Sequence, residues 1–379
     1  MRAGLRTWIE IDTSAIKHNY ATFRSLIPAI SQLCAVVKSN AYGHGLVDFA
    51  KEVVALGVDW VAVDSITEGL RLREEGMTIP ILILGYTLPE RIADAVENNI
   101  SLSISSLEAL TSVVEYSKQS STIPKIHLKV DTGMSRQGFL FNDLQKVIDV
   151  ASECRKTVTI EGLFTHFASA KNPAFLKDTQ DQINIFSQWD RALKAAGSSF
   201  LTHASATSGS LLYKEVNFDM VRIGIGMYGL WPSLEARAAV GQTVSLKPVL
   251  TWKTLIAEVK KVPKGTRVGY DFTETLSQDS TIAVCPIGYW HGYSRRLSSI
   301  GQVLVNGKRS KVIGRVSMDM ITIDVSSGGG GGVAVGDEVV LIGKQGAEEV
   351  DAYELALLDD TSWYETLTRI NPLIKKFYI

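Results

Sequence analysis

Ala35-Val36-Val37-Lys38-Ser39-Asn40-Ala41-Tyr42-Gly43-His44-Gly45 changes character abruptly at its fourth residue. Residues 33–37 form an apolar run that reads as a buried strand. The run ends on Lys38, and residues 39–45 are mostly small, polar or glycine, so the chain turns there. A lysine at the end of a core strand loses its charge readily when desolvated. The neutral amine attacks aldehydes, which makes Lys38 a candidate Schiff-base lysine. Position alone also allows a lysine that leaves the strand end for solvent.

Outward from this stretch, short β-branched runs alternate with longer helix-period segments. Candidate strands cover residues 33–38, 60–64, 79–84, 102–104, 126–131, 159–166, 200–203 and 220–225. Amphipathic segments, among them 47–56, 67–75, 106–116 and 178–196, lie between them. Eight strands alternating with helices predict a parallel α/β sheet, and closure of that sheet gives a (β/α)8 barrel over residues 12–238. An open doubly wound sheet is the alternative that periodicity leaves standing. In a barrel the chemistry sits at the carboxyl ends of the strands. Lys38, Asp64, Asp131 with Arg136, His166, His203 with Ser205, and Arg222 are stationed at those ends.

From residue 239 to 379 the pattern becomes short strands separated by turns, with a tight hairpin at Asn306-Gly307, which predicts an all-β second domain. The strand-like residues 8–11 precede the first barrel helix and are expected to join that domain. The glycine run 326–332 reads as a surface loop. No internal repeat goes beyond the βα alternation.

The 379 residues are 45% hydrophobic with a net charge of -1. Such a balance offers no basic field for nucleic acid or an anionic membrane. Three scattered cysteines, Cys34, Cys154 and Cys285, have no metal-ligand spacing and fit a reducing compartment. The first eight residues lack an apolar core of signal-peptide length, and no run is long enough to span a bilayer. The expectation is a cytoplasmic protein without a metal.

Lys38-Ser39-Asn40-Ala41-Tyr42-Gly43-His44-Gly45 closely resembles the pyridoxal-phosphate lysine motif of alanine racemases, and matching segments continue to Glu365. The resemblance implies a fold-type III pyridoxal 5'-phosphate enzyme that interconverts L- and D-alanine, with D-alanine going to cell-wall peptidoglycan. Arg222-Ile223-Gly224-Ile225-Gly226 resembles the family's phosphate segment. By position this carries over Ser205, Gly224, Ile225, Tyr42 and Tyr364 as cofactor-binding residues, and Arg222 as the partner of the pyridine nitrogen. A guanidinium there has only donors and stays charged, so the ring nitrogen stays unprotonated and the ring is a weaker electron sink.

Racemisation requires proton transfer at both faces of the α-carbon. Lys38 serves one face. Tyr270, in Arg267-Val268-Gly269-Tyr270, matches the tyrosine that the family supplies from the partner subunit for the other, which implies a homodimer with composite sites. His166 matches the link between that tyrosine and the arginine. Arg136, in Asp131-Thr132-Gly133-Met134-Ser135-Arg136, matches the residue reaching the substrate carboxylate and the cofactor's phenolic oxygen. Lys129 matches a lysine that is carbamylated in some members. Met318 and Asp319 match a segment facing the substrate carboxylate, while Tyr289 and Tyr364 narrow the pocket.

Departures from the pattern are Ser135 for glycine, Ala204 for asparagine and Trp290-His291 for Ala-Asp. The C-terminal arginine-rich ending is also missing, with Ile370-Asn371-Pro372 in its place. Beside the entrance tyrosine, Trp290 and His291 make serine an additional candidate substrate. Three other readings compete. A decarboxylase of the same cofactor class calls for a cysteine signature that Cys285 alone does not supply. A pyridoxal-phosphate carrier protein needs no β domain, and a cofactor-free aldolase needs no Arg222.

Overall fold

The computed structural model describes residues 4–326 and 332–379, and it divides into two compact units. The glycine run foreseen as a loop falls largely outside the described residues. One unit comprises residues 14–41 and 46–248; the other comprises residues up to 13, 42–45 and 249–379.

Strand β1, Thr7–Ile11, belongs to the second unit. The barrel unit is built on eight parallel strands: β2 Gln32–Val36, β3 Trp60–Val63, β4 Ile81–Ile83, β5 Ser101–Ile104, β6 Lys125–Lys129, β7 Thr159–Phe164, β8 Leu201–His203 and β9 Met220–Ile223. They pair in the order β8-β7-β6-β5-β4-β3-β2-β9. A single bridge brings the two ends together, where the Arg222 amide donates to the Ser205 carbonyl at 3.0 Å. The result is the expected (β/α)8 architecture. Strands β2, β3, β4 and β9 are buried along their whole length, apart from the first residue of β2, as interior barrel strands require.

The barrel unit continues ten residues past the expected boundary at 238/239, to Pro248. Leu234–Val240 is a helix capped by the Ser233 hydroxyl, and the chain beyond it is fastened to the helix Thr13–Leu26. Asn19 Oδ1 accepts from the Lys247 amide at 2.9 Å, and Asn19 Nδ2 donates to the Lys247 carbonyl at 2.9 Å.

In the β-rich unit, β1 lies between β10, Leu250–Leu255 (antiparallel), and the final strand, Lys376–Tyr378 (parallel). Most of its other strands extend this sheet in antiparallel pairs. The expected β domain also carries two short helices, Ala352–Leu358 and Trp363–Thr368. Each begins on a side-chain cap, Asp351 accepting from the Glu354 amide and Ser362 from the Glu365 amide.

Candidate active site

Strand β2 stops at Val36, and after Lys38 the backbone winds the wrong way round. Ser39, Asn40, Ala41 and Tyr42 have φ of 55°, 55°, 51° and 51°. A left-handed turn of non-glycine residues costs about 1–2 kcal/mol per residue, so its surroundings must hold it. The Ala41 amide donates to the Val37 carbonyl at 2.8 Å, and the Leu46 amide donates to Asn40 Oδ1 at 2.9 Å. The Glu68 carboxylate accepts from the Asn40 amide at 3.1 Å and from the Asp64 amide at 3.0 Å. Glu68 thereby ties the end of β2 to the end of β3. Lys38 Nζ lies 3.1 Å from Asp64 Oδ1 across that junction.

Arg222, third residue of β9, is almost fully buried, yet its Nη hydrogens all find acceptors. Nη1 donates to His203 Nδ1 at 2.8 Å and to the His203 carbonyl at 2.9 Å. Nη2 donates to the carbonyls of Thr165 at 2.7 Å and Ala204 at 3.2 Å, with His166 Nδ1 at 3.5 Å. Its Nε–H has no acceptor among the described residues. Burial lowers the Arg222 pKa to about 10, which leaves the guanidinium charged at neutral pH.

His166 is pushed down to about 3, first by burial and then by Arg222, Arg136, Lys129 and Lys38. Four cations therefore converge around one neutral imidazole. Lys129 Nζ donates to Gln137 Oε1 at 3.0 Å and is lowered to about 8 by burial and by Arg136, Arg222 and Lys38. Asp131 Oδ1 accepts from the amides of Gly133, Met134 and Ser135 at 2.8, 3.0 and 3.1 Å, fixing the loop that presents exposed Arg136. Ser135, where glycine is usual, takes a φ of 55° within this clamp.

Beyond β8, Ser205 is fully buried with its hydroxyl 2.9 Å from Ser210 Oγ. Thr207, a residue the sequence does not single out, accepts from the amides of Gly224 at 3.2 Å and Gly226 at 3.3 Å. The Gly224 amide is thus already engaged, whereas the Ile225 amide has no partner among the described residues. An anion-seeking set of Ser205, the Ile225 amide, Lys38 and Arg222's Nε–H suits a ligand with a phosphate and a ring nitrogen.

In the β-rich unit Tyr270 is 70% exposed on a turn that other side chains brace. Arg315 Nε pairs with Asp271 Oδ2 at 2.8 Å, and the Arg267 guanidinium lies 3.9 Å from the Phe272 ring centroid. The Tyr289 and Trp290 amides donate to the carbonyls of Ser317 and Met318 at 3.0 Å each. A β-carbon on Gly288 would meet the Ser317 carbonyl at 2.2 Å, so only glycine allows this approach. Met318 is exposed, its amide has no acceptor among the described residues, and Asp319 is exposed beside it. His291, a departure from the family pattern, braces its own turn, its Nδ1 accepting from the Gly288 amide at 3.2 Å. The rings of Tyr42 and Tyr364 lie 6.2 Å apart, and burial together with Tyr42 raises the Tyr364 pKa.

No group of three or more potential metal ligands is found among the described residues. No described helix is long and apolar enough to cross a membrane.

A closed barrel with ionisable side chains gathered at the carboxyl ends of its strands defines a (β/α)8 enzyme. Residues 11–232 match the family model of the alanine racemase N-terminal domain, and residues 249–378 that of the C-terminal domain. Over 375 residues the chain is 38% identical to an alanine racemase of Methanococcus maripaludis, covering 98% of both. Its structure is similar to an alanine racemase of Bacillus anthracis with bound L-Ala-P, at a TM-score of 0.92 and 35% identity, over 99% of this chain and 95% of that one. It is also similar to the Bartonella henselae alanine racemase with covalently bound pyridoxal phosphate, at a TM-score of 0.89 and 26% identity, over 99% and 100% of the two chains. The chain belongs to the alanine racemase family and is an amino-acid racemase.

Proposed function

We propose that this chain interconverts L- and D-alanine with pyridoxal 5'-phosphate and supplies D-alanine for peptidoglycan. The observation that carries the reading is the set of four cations around neutral His166, with Lys38 at its strand end and Arg222 buried as a guanidinium. Pyridoxal phosphate, when bound, supplies the electron sink that acidifies the α-hydrogen of an amino acid.

The chain's own residues do the rest. Lys38 holds the cofactor through its amine, and Ser205, Gly224, Ile225, Tyr42 and Tyr364 hold the phosphate, with Gly224 acting through Thr207 rather than through a free amide. Arg222 donates to the ring nitrogen and keeps that nitrogen unprotonated. Arg136 and the Met318 amide receive the substrate carboxylate; Asp319, Tyr289 and Tyr364 leave room for a small side chain, serine included. Lys38 moves the proton on one face of the α-carbon. Tyr270 of the partner subunit moves it on the other, with His166 linking that tyrosine to Arg222. A homodimer in the cytoplasm, each β-rich unit (residues 239–379 with 1–11 in the sequence reading) completing its partner's site, follows from this reading.

The test is an assay of purified protein with pyridoxal phosphate and L-alanine, coupled to D-amino-acid oxidase, beside Lys38→Ala. D-alanine formed by the wild type and absent with Lys38→Ala supports the proposal. Carbon dioxide release in place of D-alanine moves the activity to decarboxylation and overturns it.

A further inference from the structure

Behind Arg222 the barrel unit holds a buried run of polar groups that the reaction outlined above does not use. Arg222 Nη1 donates to His203 Nδ1 at 2.8 Å. His203 Nε2 lies 2.8 Å from His127 Nδ1. His127 Nε2 faces Glu161 Oε2 at 3.4 Å, the long contact of the run. The Ser101 hydroxyl donates to the same carboxylate oxygen at 2.5 Å, and Lys125 Nζ stands 3.9 Å from Oε1.

The direction of donation is fixed from both ends. A guanidinium only donates, so His203 Nδ1 must be bare. A neutral imidazole with a bare Nδ1 carries its hydrogen on Nε2, which it gives to His127 Nδ1. His127 then carries its own hydrogen on Nε2, facing the carboxylate, which only accepts. Both imidazoles are fully buried, and burial lowers both with Arg222 adding to it, while Glu161 opposes the shift at His127. Trp60 packs edge-on to His127 with centroids 5.4 Å apart, and Phe164 stacks on His203 at 4.8 Å, so neither ring is free to flip.

The backbone is also shaped for this run. The β6–β7 register passes from Ile126↔Ile160 to His127↔Gly162, which leaves Glu161 as an extra residue on β7. A bulge of this kind re-aims a side chain. Next to it, Gly162 has no β-carbon where the His127 ring lies.

We propose that Glu161 and His127 are positioning residues for Arg222. Arg222 and the Glu161 carboxylate hold one donor direction from the two ends of the run, His127 anchors His203, and His203 takes one Nη hydrogen so that the Nε–H is left for the ring nitrogen of a bound cofactor. The last step rests on the cofactor reading; the tautomers do not.

The test uses the full-length chain labelled with 15N-histidine, first without cofactor. In the wild type, His127 and His203 should both show a bare Nδ1 and a protonated Nε2. Glu161→Leu, which removes the acceptor while Arg222 still holds the tautomers, should move the His127 Nε2–H resonance upfield. Glu161→Gln, whose amide oxygen still accepts, should keep the wild-type pattern. With pyridoxal phosphate bound, Glu161→Leu should lose kcat by roughly tenfold, the lower end of what loss of an orienting partner costs, with KM unchanged. Glu161→Gln should restore most of that loss. A hydrogen on His203 Nδ1 in the wild type, or a His127 Nε2–H resonance unmoved in Glu161→Leu, overturns the proposal. A wild type that makes no D-alanine would refute the functional reading while the imidazole spectra still decide the relay.

Discussion

Gly162 lies so close to His127 that a β-carbon at 162 would stand 2.1 Å from the imidazole Nδ1 and 2.5 Å from Cε1. The ring has nowhere to retreat, because Trp60 and His203 pack against it and it is fully buried. Glycine is required here for space, not for an unusual backbone angle. Gly162→Ala should therefore cost at least about 3 kcal/mol, the upper end of ordinary overpacking. Urea denaturation of the cofactor-free chain measures it, and a loss under about 1 kcal/mol would show that the ring can shift.

This contact also shows where the sequence stops being legible. Strand ends announce themselves locally: an apolar run closes on Lys38, Asp64 or His166, and eight such runs with helices between them specify a barrel. The Asp351/Glu354 and Ser362/Glu365 spacings, an acceptor three residues ahead of a glutamate, mark the two helix starts in the β-rich unit, a signal that the expectation of an all-β domain passed over. Glu161, His127 and His203 carry no comparable signal. They come from three strands, and a one-residue bulge decides whether Glu161 faces the imidazole at all. Thr207 is equally silent, since its role depends on the amides of Gly224 and Gly226 arriving from another strand. The left-handed turn at residues 39–42 is hidden for a different reason: Ser-Asn-Ala-Tyr has no glycine to mark it, and tertiary bonds to Glu68 and Leu46 hold it. The unit boundary at Pro248 depends on Asn19, more than two hundred residues earlier in the chain.

His166 gives an acid-stability prediction. Its ordinary pKa is 6.5 and the folded value is about 3, because burial and four cations oppose its charge. The unfolded chain takes up a proton below 6.5 that the native state refuses until about 3. Stability therefore falls as pH drops through that window, by up to about 1.4 kcal/mol per pH unit for the one group, and is unaffected by it above 6.5. His166→Gln should flatten that slope between pH 6.5 and 3 in denaturation series on the cofactor-free chain. An unchanged slope would mean the imidazole is charged in the native state.

Lys129 should react with carbon dioxide. An amine lowered to about 8 is substantially neutral in mild alkali. Its nitrogen then forms a bond to the carbon of CO2 and loses a proton, leaving a carbamate anion beside Arg136. In 13C-bicarbonate the wild type should show a carbamate carbon resonance that Lys129→Ala lacks. The signal should fade toward lower pH, since the neutral fraction drops about tenfold per unit below the pKa. A resonance that persists in Lys129→Ala would assign it to another amine.

Tyr270 is 70% exposed, and its turn is braced by the Arg315–Asp271 pair and by Arg267 against Phe272, so its phenol is presented outward on a fixed backbone. If the partner's Tyr270 handles one face of the α-carbon and Lys38 the other, removing the hydroxyl should disable one face alone. Tyr270→Phe should slow interconversion by about 10²–10⁴-fold, the range for loss of a general acid–base group. One enantiomer of alanine should still exchange its α-hydrogen with deuterated water, through Lys38, while its mirror image does not. Steady-state rates do not reveal this, because an equilibrium constant of one ties the two values of kcat/KM together. Proton NMR of each enantiomer in deuterated buffer does. Exchange of both enantiomers at similar rates in Tyr270→Phe would mean that one base reaches both faces, and the tyrosine would lose its assignment.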